Sequence, residues 1–499
     1  MSLPVSLYSA SQVRALDAYA IGEQKVPGYT LMKRAGEAAL RYLRARWPRC
    51  LRIVIVCGGG NNGGDGYVLA RFSQAAGLTV AVLAAVPPER LTGDARQAHA
   101  DWTASGGRVA PFDSGLLGEA DVIVDALLGT GLSQPVRAEA AQVIEALNAA
   151  GRPVFALDVP SGLDSDTGEP HGAAVRADCT VTFVALKTGL FIGRGPEHAG
   201  NVYFDDLEVT VPAQRADFTP RLERIVESEI TAALPRRART ANKGDFGRVL
   251  IVGGGPGMPG AVRLAGEAAL RVGAGLVTVA VWPENVSGIV AGRPELICLA
   301  LQEASQLAEP LERADVVAIG PGLGKSRWAA EVLAAVLRTS HPLVVDADAL
   351  NLIAARANEG NAPPRRDNWI LTPHPGEAAR LLGVSTAEIQ RDRLQALTGL
   401  VERYGGPIVL KGAGTLVGAR DRIPGVCERG NPGMASAGMG DVLTGATAGI
   451  LAQCADPWQA ARVAVLVHAM SGDVAARIGG ERGLLASDVA RELRTCVNL

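Results

Sequence analysis

The strongest constraint on this chain is a rhythm. A short unbroken run of Val, Ile and Leu is followed by a Gly-rich turn, then by an Ala-rich amphipathic stretch, and the unit recurs along the sequence. In the first half the apolar runs are 52–57, 78–83, 120–127, 153–157 and 179–185; in the second they are 249–252, 276–281, 315–319, 342–345, 369–371 and 407–410. Runs without polar alternation suit strands buried on both faces, and strands that alternate with helices build a parallel sheet. Both halves therefore read as α/β. A chain of 499 residues has room for several domains, each with its own core.

The rhythm breaks between 211 and 239. VPAQRADFTPRLERIV is proline-bearing, and PRRAR at 235–239 is a small basic cluster that reads as a solvated linker. The pattern restarts at GDFGRVLIVGGG, which predicts domains at 1–215 and 221–499. GNAPPRRDN (360–368) reads as an exposed loop. The absence of a fixed-period repeat excludes solenoids and propellers. ADVIVDALLGTGL (120–132) and ADVVAIGPGLG (314–324) share a grammar although their flanks diverge. Each half is expected to offer the C-terminal ends of its strands to a ligand.

Lys+Arg is 49 and Asp+Glu is 51, a net charge of −2. That balance excludes the electrostatic footprint of a nucleic-acid binder and a polybasic membrane patch. Sixty glycines with only 4% aromatics suit turns that approach a ligand, not stacking platforms for bases. The seven cysteines form no C-x-x-C pair, which argues for free thiols. The first residues lack the charged and apolar regions of a signal peptide, and no apolar run is long enough to span a membrane. The expectation is a cytoplasmic protein.

Two loops fit G-x-G-x-x-G after a strand: Gly58, Gly60 and Gly63, and Gly255, Gly257 and Gly260. A dinucleotide fingerprint also needs an acid after the next strand. The first loop lacks it; the second could use Glu284, which keeps an NAD-dependent dehydrogenase as an alternative. Asp65, inside the first loop, would repel a phosphate. GPGLGKS (320–326) is not a Walker A loop, because Ile319 stands where its first Gly belongs. No G-x-S-x-G and no H-x-x-x-H are present, which argues against a nucleophile elbow and a zinc site.

NPGMASAGMGDVLTGATAGIL (431–451) carries more chemistry. Gly438-Met-Gly440-Asp441 precedes a stretch of small and apolar residues that reads as a helix, so free N–H groups and the positive helix end can meet an anion. Asp441 is then either a general base for a hydroxyl attacking phosphorus or only a helix cap, and spacing leaves the two level. Lys411-Gly412-Ala413-Gly414-Thr415 follows the run PIVL and suits close approach of a ligand, or a tight turn. His374 lies between prolines at the end of another run. In the first half Asp125 and Asp158 end runs and join Asn61, Asn62 and Asp65 at three neighbouring strand ends. Oxygen-only donors suit a hard cation or acid–base work on a polar ligand, although each alone could simply cap a turn.

Taken together and in order, these motifs resemble the bifunctional NAD(P)H-hydrate repair family. The resemblance covers nearly the whole chain. In the first half it rests on GGGNNGGDGYVLAR, VDALLGTGL, LDVPSGLDSDTG and TVTFVALKTGL; in the second on NKGDFGRVLIVGG, LRVGAGLVTVA, GPGLG, VVDADALNL, LTPHPGEAARLLG, VLKGAGT and GMGDVLTG. It implies an N-terminal Rossmann-like three-layer epimerase domain and a C-terminal ribokinase-like α/β domain. The first would interconvert the C6 epimers of hydrated NADH and NADPH (NADHX and NADPHX). The second would dehydrate the S form at the expense of ADP, giving NAD(P)H, AMP and phosphate.

Carried over residue by residue, the resemblance implies that Asn61, Asn62, Gly63, Gly64 and Asp65, with Gly129, Thr130, Gly131, Leu132, Ser133, Gln134 and Pro135, bind the hydrate in the epimerase. Asn62, Asp125 and Ser161 would hold K+, and Asp158 would meet the nicotinamide end as an acid–base group. In the dehydratase, Ala261, Gly322, His374 and Asp441 would contact the hydrate. Lys411, Gly412, Ala413, Gly414, Thr415 and Gly440 would hold ADP with its Mg2+. The implied partners are small molecules, with no nucleic acid or membrane, and the chain is expected to form a homo-oligomer. Two positions depart from the family's pattern: Lys33 where Glu is common, and Ala437 where Gly is common. The second could narrow the nucleotide pocket. A nucleotide-sensing module is a further alternative.

Overall fold

In the computed structural model, which describes residues 3–132, 134–212 and 214–498, the chain divides into two compact units, Met1–Glu223 and Arg224–Leu499. Every central apolar run of the first unit becomes a strand. The sheet order is Val109–Pro111, Thr79–Ala84, Arg52–Cys57, Val122–Ala126, Val154–Leu157, Cys179–Phe183 and Asn201–Asp205, all parallel. Sequence order reverses between Arg52–Cys57 and Val122–Ala126, which opens a crevice beyond their C-terminal ends. Ile53, Ile55, Val124 and Phe155 pack under helices on one face, and Val54, Val56, Ile123 and Ala156 serve the other. Burial on both faces is why the runs carry no polar alternation.

The second unit repeats the plan with other flanks. Ile297–Ala300, Leu276–Val281, Arg248–Val252, Val316–Ile319, Leu343–Val345, Trp369–Leu371 and Ile408–Leu410 run parallel, and Thr415–Gly418 and Gly425–Cys427 extend the sheet antiparallel. Here the order reverses between Arg248–Val252 and Val316–Ile319. The helix Met439–Cys454 packs on Pro259–Arg271 so closely that a Cβ on Gly445 would lie 1.9 Å from the Ala265 carbonyl oxygen. Small residues fill the first of these helices because backbone meets backbone there.

The break in rhythm is more ordered than a linker. It holds the turn Ala216–Phe218, the strand Leu222–Arg224 and the helix Ser228–Ala233. Leu222 and Glu223 pair antiparallel with Leu7 and Ser6. Within PRRAR, Arg237 stacks over the Phe246 ring at 3.6 Å and donates to the Gly273 carbonyl, so the basic cluster is partly a docking device. The loop at 360–368 is largely exposed, as expected. All seven cysteines are free thiols. Among the described residues no helix is long and apolar enough to cross a membrane.

Candidate functional site

Three adjacent strand ends build the first site. After Arg52–Cys57 the chain turns at Gly58–Gly60 and enters the helix Asn61–Ala75, whose N-cap is Gly60. Its first N–H groups have no capping side chain, so that helix end is open to a polar ligand. A cavity of about 490 Å³ lies there, lined among others by Asn61, Asn62, Asp65, Gly129, Thr130, Gly131, Leu132, Asp158 and Lys187. Gly63 and Gly64 lie beneath it, packed on the Gly58 carbonyl and Met32. Gln134 and Pro135 are exposed and outside its lining, and Ser133 lies outside the described residues.

Asp158 follows Val154–Leu157 with a left-handed φ of 64°, a conformation that a non-glycine residue keeps only when its surroundings hold it. Its Oδ1 accepts from Lys187 Nζ at 2.5 Å, and that lysine, 1% exposed, also donates to the Phe183 carbonyl. Asp158 Oδ2 stands against Gly129, where a Cβ would be 3.8 Å away. Burial pushes the Asp65 carboxyl well above its ordinary range, and the Asp158 and Asp17 charges add to this against the pull of Lys187. A carboxyl so shifted repels a phosphate less than the sequence suggests.

Asp125 and Ser161 are buried and accept from the N–H groups of Leu127 and Leu128, which line this cavity. Asp125 accepts from the Ser161 hydroxyl at 2.5 Å and the Ser161 N–H at 2.8 Å, and burial lifts it to about 6 against those bonds. Asn62 donates from Nδ2 to the Leu128 carbonyl at 2.8 Å, while its Oδ1 is buried with no hydrogen-bond partner. Asn62 and Ser161 both bond the Leu128 backbone, and an unpartnered buried acceptor among such oxygens is one that a cation would satisfy.

The second site gathers at four strand ends. Asp346, 1% exposed, follows Leu343–Val345; its Oδ1 accepts from Lys411 Nζ at 2.7 Å and its Oδ2 from Thr444 Oγ1 at 2.8 Å. A Cβ on Gly440 would lie 3.3 Å from Lys411 Nζ and 3.5 Å from Asp346 Oδ2, which brings the helix start up to this pair. Ala261 and Gly322 are neighbours, with 3.2 Å between a Gly322 Cβ and that of Ala261. The loop after Lys411 is held from behind by buried Arg393, whose guanidinium donates to the carbonyls of Leu410, Lys411 and Gly414. Gly412 and Ala413 are exposed, and Thr415 opens the strand Thr415–Gly418.

His374 caps the helix Pro375–Leu382. Its Nδ1 accepts from the N–H groups of Gly376 and Glu377, at 3.0 and 3.3 Å, so Nε2 carries the proton of the neutral ring. Burial lowers its pKa, and the Lys411 and Arg380 charges lower it further. Asp441 sits in the first turn of Met439–Cys454, but the N-cap is Gly438 at φ 87°, with no side-chain cap. Asp441 therefore does not serve as the cap. Burial pushes it up to about 7, Asp346 and Asp348 add to the rise, and Lys411 opposes them. Glu377 is likewise lifted to about 7, by burial and Asp346 against Lys411. Burial would lower the Lys411 ammonium, yet the carboxylates around it keep it above its ordinary value.

The family models match along the same division. NAD(P)H-hydrate dehydratase matches residues 249–495, and YjeF-related protein N-terminus matches residues 28–189. The bifunctional NAD(P)H-hydrate repair enzyme of Coxiella burnetii is 50% identical over 493 residues, covering 99% of both chains. This chain belongs to the bifunctional NAD(P)H-hydrate repair family. The repair enzyme of Escherichia coli is 43% identical and covers 100% of this chain and 95% of its own. Among solved structures, the ADP/ATP-dependent NAD(P)H-hydrate dehydratase of Bacillus subtilis, co-crystallised with ATP and Mg2+, is 30% identical with a TM-score of 0.50. That match covers 55% of this chain and 96% of the Bacillus chain.

Membership in the repair family sets aside the dehydrogenase reading built on Glu284. Several residues of the candidate sites escaped the sequence reading. Asp17, on the N-terminal helix, gave no signal at all. Lys187 could have been noticed as the one charged residue inside TVTFVALKTGL. Asp346 ends the run LVVD as Asp158 ends VFALD, so the rule that flagged Asp158 would have found it. Glu377, three residues after His374, carries the spacing of a capping pair.

Proposed function

We propose that the first unit interconverts the two C6 epimers of NADHX and NADPHX, and that the second phosphorylates and dehydrates the S epimer at the expense of ADP. The observation that carries this is Asp441. It is a carboxyl without a capping role at an open helix N-terminus, beside a lysine that is paired with a buried aspartate. Such a group suits removal of a proton where phosphate arrives.

In the second site residues 411–415 and Gly440 would cradle ADP, and Ala261, Gly322 and His374 would hold the hydrate with its C6 hydroxyl toward Asp441. Asp441 takes the hydroxyl proton as the oxygen attacks the β-phosphorus of ADP and AMP leaves. Loss of the phosphate from C6 with a proton from C5 restores the double bond, giving NAD(P)H and inorganic phosphate. Lys411 neutralises charge on the transferring group.

Mg2+ keeps most of its waters and binds one or two carboxylates plus phosphates. Among the described residues no cluster of three or more His, Cys, Asp or Glu is arranged to cage a metal. Burial lifts Asp441 and Glu377, and the nearby Asp346 charge adds to both. That combination fits an ion carried in on the nucleotide, with Asp346 and Glu377 as its protein partners. When bound, Mg2+ would supply charge neutralisation on the phosphates.

In the first site residues 61–65 and 129–135 would hold the hydrate, with Asp158 as an acid–base group. The orphaned Asn62 Oδ1 and the buried Asp125 and Ser161 oxygens fit K+. Bound there, K+ would fix the Asn62 and Leu128 backbones that border the cavity. The direct test of the whole reading is to incubate the purified protein with hydrated NADH and ADP. Reduced-nicotinamide absorbance should return only when both are present. No return under those conditions contradicts the reading.

A further inference from the structure

The cavity of the first unit receives a carboxyl from the N-terminal helix. Asp17 lines it from the N-terminal helix Ala10–Gly22 and lies outside residues 28–189, the segment matched by the N-terminal family model. Among the described residues it has no hydrogen-bond or ion-pair partner. A partly buried carboxyl left in that state needs an explanation.

Its placement is fixed independently of any ligand. The helix begins with a complete capping box at Ser9 and Gln12, and the Ala10 N–H donates to Asp166 Oδ1 at 2.7 Å. One turn before Asp17, Arg14 donates to the Thr130 carbonyl at 3.1 Å and so ties the helix to the loop that borders the cavity. Asp17 is thus held at the same cavity as Asp158 and Lys187 by contacts that do not use its own side chain.

We propose that Asp17 is the second proton-transfer group of the epimerase site, acting with the Asp158 carboxylate that is ion-paired to Lys187. This rests on the epimerase reading of the first unit. A ring-opening route to the other epimer uses two such groups. The C6 carbon of the hydrate bears a hydroxyl and is bonded to the ring nitrogen N1. Asp158 takes the hydroxyl proton, the C6–N1 bond breaks as C6=O forms, and Asp17 gives N1 its proton. Rotation about C5–C6 turns the other face of the aldehyde to N1. N1 then attacks C6, Asp17 recovers the N1 proton, and Asp158 returns its proton to the oxygen. No electron is gained or lost and no co-reactant is consumed. Burial lifts the Asp17 carboxyl to about 6, against the pull of Lys187 and with a further push from Asp158, which suits a group that must both give and take a proton near neutrality.

The test uses the full chain and its own second site as reporter. Purified R epimer is supplied with ADP, so that return of reduced-nicotinamide absorbance requires epimerisation first. S epimer supplied in parallel reports the dehydratase alone. Asp17→Asn should lower kcat for R repair by roughly 10²–10⁴-fold, the usual worth of a positioned acid or base. KM for R and the S rate should change little. Asp17→Glu, which keeps a titratable carboxyl, should recover part of the R rate. A kcat for R close to that of the wild type in Asp17→Asn overturns the proposal, and so does a change confined to KM. If Asp17→Asn melts early, a well-folded Asp17→Glu with no recovered rate overturns it. A wild-type chain that repairs S but fails on R overturns the epimerase reading itself, which is a distinguishable result.

Discussion

A half-buried carboxyl that accepts no hydrogen bond works against the fold, and Asp441 is such a group among the described residues. Its folded pKa of about 7 lies above the ordinary aspartate value of 3.8. Between those values the folded chain keeps a proton that the unfolded chain has released, so this residue's contribution to stability falls as pH rises through that window. Asp441→Asn should therefore melt at a higher temperature than the wild type, with an advantage that grows from about pH 4 to about pH 7 and then levels off. Melts across that range check it; an advantage that shrinks with pH would be wrong in sign. The same variant should lose roughly 10²–10⁴-fold in S-epimer dehydration while holding ADP at least as well. Near-normal dehydration would remove Asp441 from the mechanism. In the first unit Asp125→Ala should weaken hydrate binding and leave the dehydratase rate alone. Crystals grown with a heavier monovalent cation should show it beside Asn62, Asp125 and Ser161; hydrate bound at full occupancy with no ion there would count against the K+ site.

At the level of elements, what was legible follows burial. Arg52–Cys57, Leu276–Val281 and Trp369–Leu371 have the bounds expected from the apolar runs, because central strands are covered on both faces and leave an unbroken signal. Two strands without that signal, Val109–Pro111 and Asn201–Asp205, end their parallel array and are partly exposed, whereas Ile297–Ala300 ends the other array inside an unbroken apolar run, 296–301, that the sequence offered and the reading passed over. The first two keep exposed residues at the sheet edge, so their apolar stretches stay short. The candidate site residues divide in a similar way. Asp158, Lys411 and Asp441 stand next to runs or glycine turns and were visible, whereas Asp17 depends on where a helix docks, which only tertiary packing decides. The end of the first unit shows the same effect. Phe218 is 3% exposed and meets the Tyr19 ring edge-on at 5.7 Å. A fragment stopped at 215 loses it, together with the strand pairing of Leu222 and Glu223. Fragment 1–223 should be more stable than 1–215 by about 3–5 kcal/mol, the usual cost of removing a buried aromatic side chain. Chemical denaturation of the two checks this, and equal midpoints would show that the segment contributes nothing.

At the scale of the whole molecule the proposed function divides labour within one chain, two sheets each offering its strand ends to the same damaged cofactor for a different reaction. The repeated grammar of 120–132 and 314–324 made that division readable, since each marks a strand entering a glycine loop at a sheet's reversal of order. Family membership covers both halves, so neither activity has to be inferred from fold alone. The most direct measurement takes an epimer mixture of hydrated NADH with excess ADP and compares the full chain with fragment 224–499. The full chain should return all of the reduced-nicotinamide absorbance. The fragment should return only the share that began as S and then slow to the uncatalysed rate of epimer exchange. A fragment that rapidly repairs both epimers, or a full chain that stalls at the S share, would contradict the account.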